Sequence, residues 1–120
     1  MTKMLGHIKD LFRECNMLYF RNSLPMPEFE LMHDSNTIGL MLFEQCKGGR
    51  RIIKITDFYV LSEIDIKRVL LHEMCHLFCV ENGFYNEGHG MLWKKVVRVV
   101  SSLSGLDIPE KIDTTSWVMR

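Results

Sequence analysis

The strongest constraint on this chain is a run of five residues, His72-Glu73-Met74-Cys75-His76. In an α-helix, side chains four positions apart stand one above the other on the same face. A helix through this stretch aims two imidazoles at one point, at a separation that a zinc ion bridges. Glu73 lies beside them and is placed to take a proton from a water molecule on the metal. The remainder of the chain has to hold this helix rigid and leave one face of it open.

A third histidine, His89, follows thirteen positions after His76. It stands in Gly88-His89-Gly90, where small neighbours let the backbone come close to the first helix. A lone buried histidine is usually a hydrogen-bonded core residue, but two at this spacing with a glutamate between them seldom are. Glu81 and Glu87 are rival third ligands, since many sites of this type use a carboxylate. His7 and His33 have no partner motif and read as surface or core residues. Three protein ligands leave a fourth position for water, the catalytic arrangement, whereas four would close a structural site. The expectation is one Zn2+ per chain on His72, His76 and His89, with Glu73 as general base for hydrolysis of a peptide bond. Tyr85 is the nearest donor for an oxyanion, although a flanking aromatic is more often packing.

The elements around the motif follow from periodicity. Residues 3–22 carry Met4, Ile8, Leu11, Phe12, Cys15, Leu18 and Tyr19 at three- and four-residue intervals, which predicts an amphipathic helix. Pro25 and Pro27 then force an extended connection. Short apolar runs bounded by Asp34-Ser35-Asn36 and Lys47-Gly48-Gly49-Arg50 predict strands over 28–33, 37–45 and 51–56. They are read as an antiparallel meander, with the middle strand central because it is apolar on both faces. Lys47, Arg50, Arg51 and Lys54 cluster at the second turn and read as a solvated hairpin tip. Ser62 is a good N-cap for a helix over 63–81, with Asp65 three positions on and Gly83 as a left-handed stop. Its sides are apolar nearly all round from Val69 to Val80, which implies burial. A third helix starts near His89 and stops at Gly105. The last fifteen residues lack helical periodicity and read as a packed or partly disordered tail.

Composition narrows the class. The 120 residues suit one domain with a single core. Fifteen basic and fifteen acidic residues balance to zero net charge, so nothing global draws the chain to nucleic acid. No apolar run has the length of a membrane span, and the charged first ten residues do not form a signal-peptide h-region. The expected location is the cytoplasm. Cys15, Cys46, Cys75 and Cys79 include no CxxC pair and read as reduced thiols. Cys75 lies off the histidine face and is not expected to be a ligand.

HEMCH followed by Gly88-His89-Gly90-Met91-Leu92-Trp93 resembles the SprT-like zinc metalloproteases, whose pattern is HExxH, a variable stretch, then His-Gly and an aromatic. Asn16 to Pro25, reading NMLYFRNSLP, is similar to the end of that family's first helix, and Gly39 and the Ile-rich strand before the metal helix agree. The third histidine comes too late for the metzincin pattern. The resemblance implies an α+β fold, a minimal zincin-like metalloprotease with an N-terminal helix, a three-stranded sheet and two helices carrying the zinc site. It implies residues 1–105 as the protease domain, with 106–120 as a C-terminal tail. It makes His72, His76 and His89 the zinc ligands and Glu73 the catalytic base. The implied partner is a protein substrate bound as an extended strand along the sheet edge. Eukaryotic relatives cleave proteins crosslinked to DNA, so the resemblance also brings in DNA as a partner. Lys94, Lys95 and Arg98 could meet phosphate, but their spacing reads better as a solvated helix face. The downstream cysteine-rich zinc ribbon of many relatives is not expected here, since no cysteine follows Cys79 in these residues. The alternative function is a non-catalytic module that keeps the metal for stability and binds a protein or DNA.

Overall fold

The computed structural model describes residues 2–44, 48–86 and 88–119. Among these residues, three helices, a three-stranded mixed sheet and a two-stranded antiparallel sheet make up an α+β fold. The first helix, α1, spans Thr2–Phe20 and buries Ile8, Leu11, Phe12 and Cys15 along one stripe. It stops two residues short of the expected end because Arg21 and Asn22 take left-handed backbone angles. The Asn22 amide then closes back onto the Asn16 carbonyl at 2.9 Å. The buried Asn16 side chain clamps the turn, donating to the Leu24 carbonyl and accepting from the Leu24 amide.

Three strands follow: β1 at Glu28–Met32, β2 at Gly39–Glu44 and β3 at Arg50–Thr56. Their order in the sheet is β1-β3-β2, with β1 parallel and β2 antiparallel to β3. This corrects the antiparallel meander and the central placement of the middle strand. Ile52, Ile53, Ile55 and Thr56 of β3 are all buried, so both faces of that strand are covered, while Leu40 of β2 reaches solvent. The chain leaving β1 does not turn back. It crosses the end of β3, spanning two strand spacings of roughly 4.8 Å each. Thr56 holds this crossing: its hydroxyl donates to the Asp34 carbonyl at 2.5 Å and its amide to the Ile38 carbonyl at 2.8 Å. The Asp34 carboxylate accepts from the amides of Asn36 and Thr37, which bends the chain into β2. As a result β2 is an edge strand, free on one side among the described residues.

The sheet's outer face is a charged ladder. Arg50 lies within ion-pair distance of Glu28, Glu30 and Glu44, and Lys54 faces Glu30. The inner face carries Phe29, Ile53 and Ile55 against the helices. Tyr59–Val60 forms a short strand, β4, ahead of the second helix, α2, at Glu63–Glu81. The third helix, α3, spans Met91–Ser104 and ends at Gly105, which is left-handed and closes onto the Ser101 carbonyl. The chain beyond α3 returns across the molecule, burying Ile108, and Val118–Met119 pairs with β4 as an antiparallel strand, β5. Two-residue strands leave no periodicity to read in advance. Among the described residues, no helix is long and apolar enough to cross a membrane.

Candidate metal centre

The helix that carries the motif, α2, begins where local chemistry predicts. The Ser62 hydroxyl accepts from the Asp65 amide at 3.2 Å and donates to the Asp65 carboxylate at 2.9 Å. Glu63 and Asp65 place negative charge at the positive end of the helix dipole. From Val69 to Cys75 every residue is buried, which gives the helix the rigid seat expected of it. Its far end is tied to the sheet by an ion pair between Arg51 and Glu81.

His72 and His76 project from one face of α2, and His89 comes to meet them from the turn before α3. One ligand atom from each of the three lies within 4.8 Å of the other two. The Nε2 atoms of His72 and His89 are 3.1 Å apart. An ion bonded to nitrogens at about 2.0–2.1 Å in a tetrahedron holds them about 3.3 Å apart, so the cluster has the dimensions of a metal site. His72 is buried, His76 half-buried and His89 exposed, so the cluster opens to solvent on one side. Burial, and then the neighbouring imidazoles, push His72 and His76 down to about 4. Both rings are therefore neutral at pH 7, the form that binds a metal.

The tautomer of His72 follows from its partner. Its Nδ1 lies 3.1 Å from the Pro109 carbonyl oxygen. A carbonyl only accepts, so Nδ1 donates and Nε2 keeps its lone pair for the cluster. Trp93, in the first turn of α3, forms the floor under all three rings. Its ring centre is 4.9 Å from that of His72, 5.3 Å from His76 and 4.5 Å from His89. Its indole nitrogen points at the His72 carbonyl oxygen.

Glu73 is buried beside the histidines, and burial alone pushes its carboxyl up to about 8. It rests over Gly39, the first residue of β2, where a side chain would leave it no room. Helix and edge strand thus meet at the carboxyl group. His72, Glu73, His76 and His89 all line one cleft of about 490 Å³, bounded on one side by residues 36–41 and on the other by Glu110, Lys111 and Ile112.

The other residues singled out from sequence lie apart. His7 pairs with Glu63 and His33 with Asp57, both away from the cluster. Glu81 is engaged by Arg51, and Glu87 lies outside the described residues, as do Cys46 and Lys47. Tyr85 is exposed at the cleft mouth and stacks on Phe43, ring centres 5.2 Å apart. Cys15, Cys75 and Cys79 are buried. Sequence offers a signal for Trp93, an aromatic four residues after His89, but none for the Pro109 carbonyl.

A family model for the SprT-like family matches residues 8–114. The chain belongs to the SprT-like family. That match takes in α1 from Ile8 onward, the three-stranded sheet, both later helices and the returning segment as far as residue 114. Membership points to metalloprotease-like chemistry, and the three histidines are close enough to hold a metal ion. No curated protein matches the chain.

Proposed function

We propose that this SprT-like protein is a zinc-dependent endopeptidase. The observation that carries the reading is one cleft in which three imidazoles converge beside a buried carboxyl group and the edge of β2. His72, His76 and His89 would hold the ion. When bound, zinc would acidify a water molecule and polarise the scissile carbonyl. With the cation beside it favouring the ionised form, Glu73 would accept the proton from that water and deliver it to the leaving amine. A carboxyl group raised toward neutrality suits a residue that must both take and release a proton. The wall of the cleft at residues 36–41 ends in the edge of β2, whose backbone groups can pair with an extended peptide. Such pairing selects for flexible segments of a protein substrate, because a folded loop cannot lie straight along a strand.

The three-histidine set favours this reading over the non-catalytic module, which would use a fourth protein ligand. DNA has less support as a partner. Arg50, Arg51, Lys54 and Lys94 all face carboxylates, which leaves those charges already answered. The test is metal analysis combined with cleavage of an unstructured protein such as casein. One zinc per chain is expected, with cleavage abolished by a chelator. Glu73→Gln should keep the zinc and lower the rate at least a hundredfold. A Glu73→Gln protein as active as the wild type would remove the assigned base.

A further inference from the structure

The segment that returns after α3 contributes no metal ligand and no general base, yet it touches the site at its most buried histidine. The Pro109 carbonyl oxygen accepts a hydrogen bond from Nδ1–H of His72, with nitrogen and oxygen 3.1 Å apart. The next three residues, Glu110, Lys111 and Ile112, form the wall of the cleft facing β2. The segment is anchored at several points. Ile108 is buried to 3% exposure in the same core as α2 and α3. Arg68 of α2 donates from Nε to the Asp107 carbonyl at 3.1 Å. Lys94 of α3 pairs with Glu110 at 3.4 Å. Downstream, β5 ties the chain to β4.

We propose that residues 107–112 act as a positioning strap, with the Pro109 carbonyl locking His72 in the tautomer and ring orientation that the metal requires. The acceptor is a backbone atom held by anchors on both α2 and α3. It therefore transmits the packing of those helices to the ring. Partners of this kind orient metal-binding imidazoles and raise their basicity, and their loss typically lowers metal affinity by about 10–100-fold. Because three of these six residues, Glu110 to Ile112, also wall the cleft, the strap sets ligand geometry and cleft width together. The inference rests on the metal reading given above, but its first observable does not need the metal.

The test uses the full chain in two steps. Nitrogen-15 spectra of the histidine rings in the metal-free protein should show His72 protonated at Nδ1, with a slowly exchanging ring N–H. The double variant Arg68→Ala, Lys94→Ala removes two anchors at sites that are not in the buried core, so the fold should persist. In it, exchange at residues 108–112 should accelerate, the His72 ring N–H should lose protection, and zinc affinity by chelator competition should fall about tenfold or more. Ile108→Ala should move all three in the same direction. An Nε2-protonated His72 in the wild type, or unchanged zinc affinity in a variant whose strap exchanges faster, would overturn the strap while leaving the protease reading intact. A wild type with the expected ring signature that binds no zinc would overturn the metal reading, and the strap's role with it.

Discussion

Gly39 and Glu73 share one space: a side-chain carbon on Gly39 would lie 2.6 Å from a carboxylate oxygen of Glu73 and 2.9 Å from a methyl of Val69. The edge strand can therefore approach the metal helix only where it has no side chain. Gly39→Ala should force either the strand or the carboxyl group to shift. Overpacking of this kind costs about 1–3 kcal/mol. The expected outcome is a lower melting temperature and at least a tenfold loss of cleavage with zinc content unchanged, because the histidines are not displaced. Full activity with a wild-type melting temperature would show that Glu73 has room to spare.

Gly6 presents the opposite case. It lies in the second turn of α1, exposed, with nothing within 4 Å of an added carbon. Alanine there should favour the helix without any steric cost. The gain expected is about 1 kcal/mol, or roughly 3–6 °C in Tm for a domain of this size. Calorimetry of Gly6→Ala alongside Gly39→Ala separates the two roles of glycine in this chain, and the proposed protease activity should follow only the second.

How much of this was legible in the sequence depends on how local each cause is. The metal helix was readable to its ends, because Ser62, Asp65 and Gly83 act within one turn of themselves. The pairing of His89 with His72 and His76 was readable because residue type and small neighbours both pointed the same way. Strand order was not. Asp34-Ser35-Asn36 bends the chain whether it folds back beside β1 or crosses the end of β3, and the choice is made by Thr56, some twenty residues on. The Pro109 acceptor was invisible for a different reason: a backbone carbonyl carries no residue type. The basic cluster at the second turn reads as a solvated hairpin tip, but Arg50, Arg51 and Lys54 lie in β3, half-buried and paired with Glu28, Glu30, Glu44 and Glu81, a pairing that needs the sheet, and Lys47 lies outside the described residues.

The metal-free protein should be most stable near pH 6.5. His72 and His76 titrate at about 4 in the fold, well below the ordinary imidazole value of about 6.5. Between those values the unfolded chain binds two more protons on these rings, so stability falls as pH falls. Glu73 is held up at about 8 against an ordinary value near 4.5, so there the folded state binds the extra proton. From pH 4.5 to 6.5 the two imidazoles outweigh the one carboxyl group. From 6.5 to 8, of these three groups, Glu73 alone binds protons differently in the two states, and stability falls as pH rises. Each limb should change on the order of 1 kcal/mol per pH unit. Urea unfolding in the presence of a chelator measures this directly, and Glu73→Gln should flatten the limb above pH 6.5 while steepening the one below.

Trp93 should report on the centre it supports. Its ring lies within 5.3 Å of all three imidazole centres and is 1% exposed, whereas Trp117 packs on Tyr59 at a distance from them. Zinc added to the chelator-stripped protein should therefore change the emission of Trp93 and leave Trp117 silent. The change should survive Trp117→Phe and vanish in Trp93→Phe. Trp93→Phe keeps an aromatic floor and should still bind zinc. Trp93→Ala opens a cavity under the histidines, with an expected cost of about 3–5 kcal/mol and a clear loss of zinc affinity. A zinc response that followed Trp117 instead would mean that the ion binds somewhere other than the His72, His76 and His89 cluster.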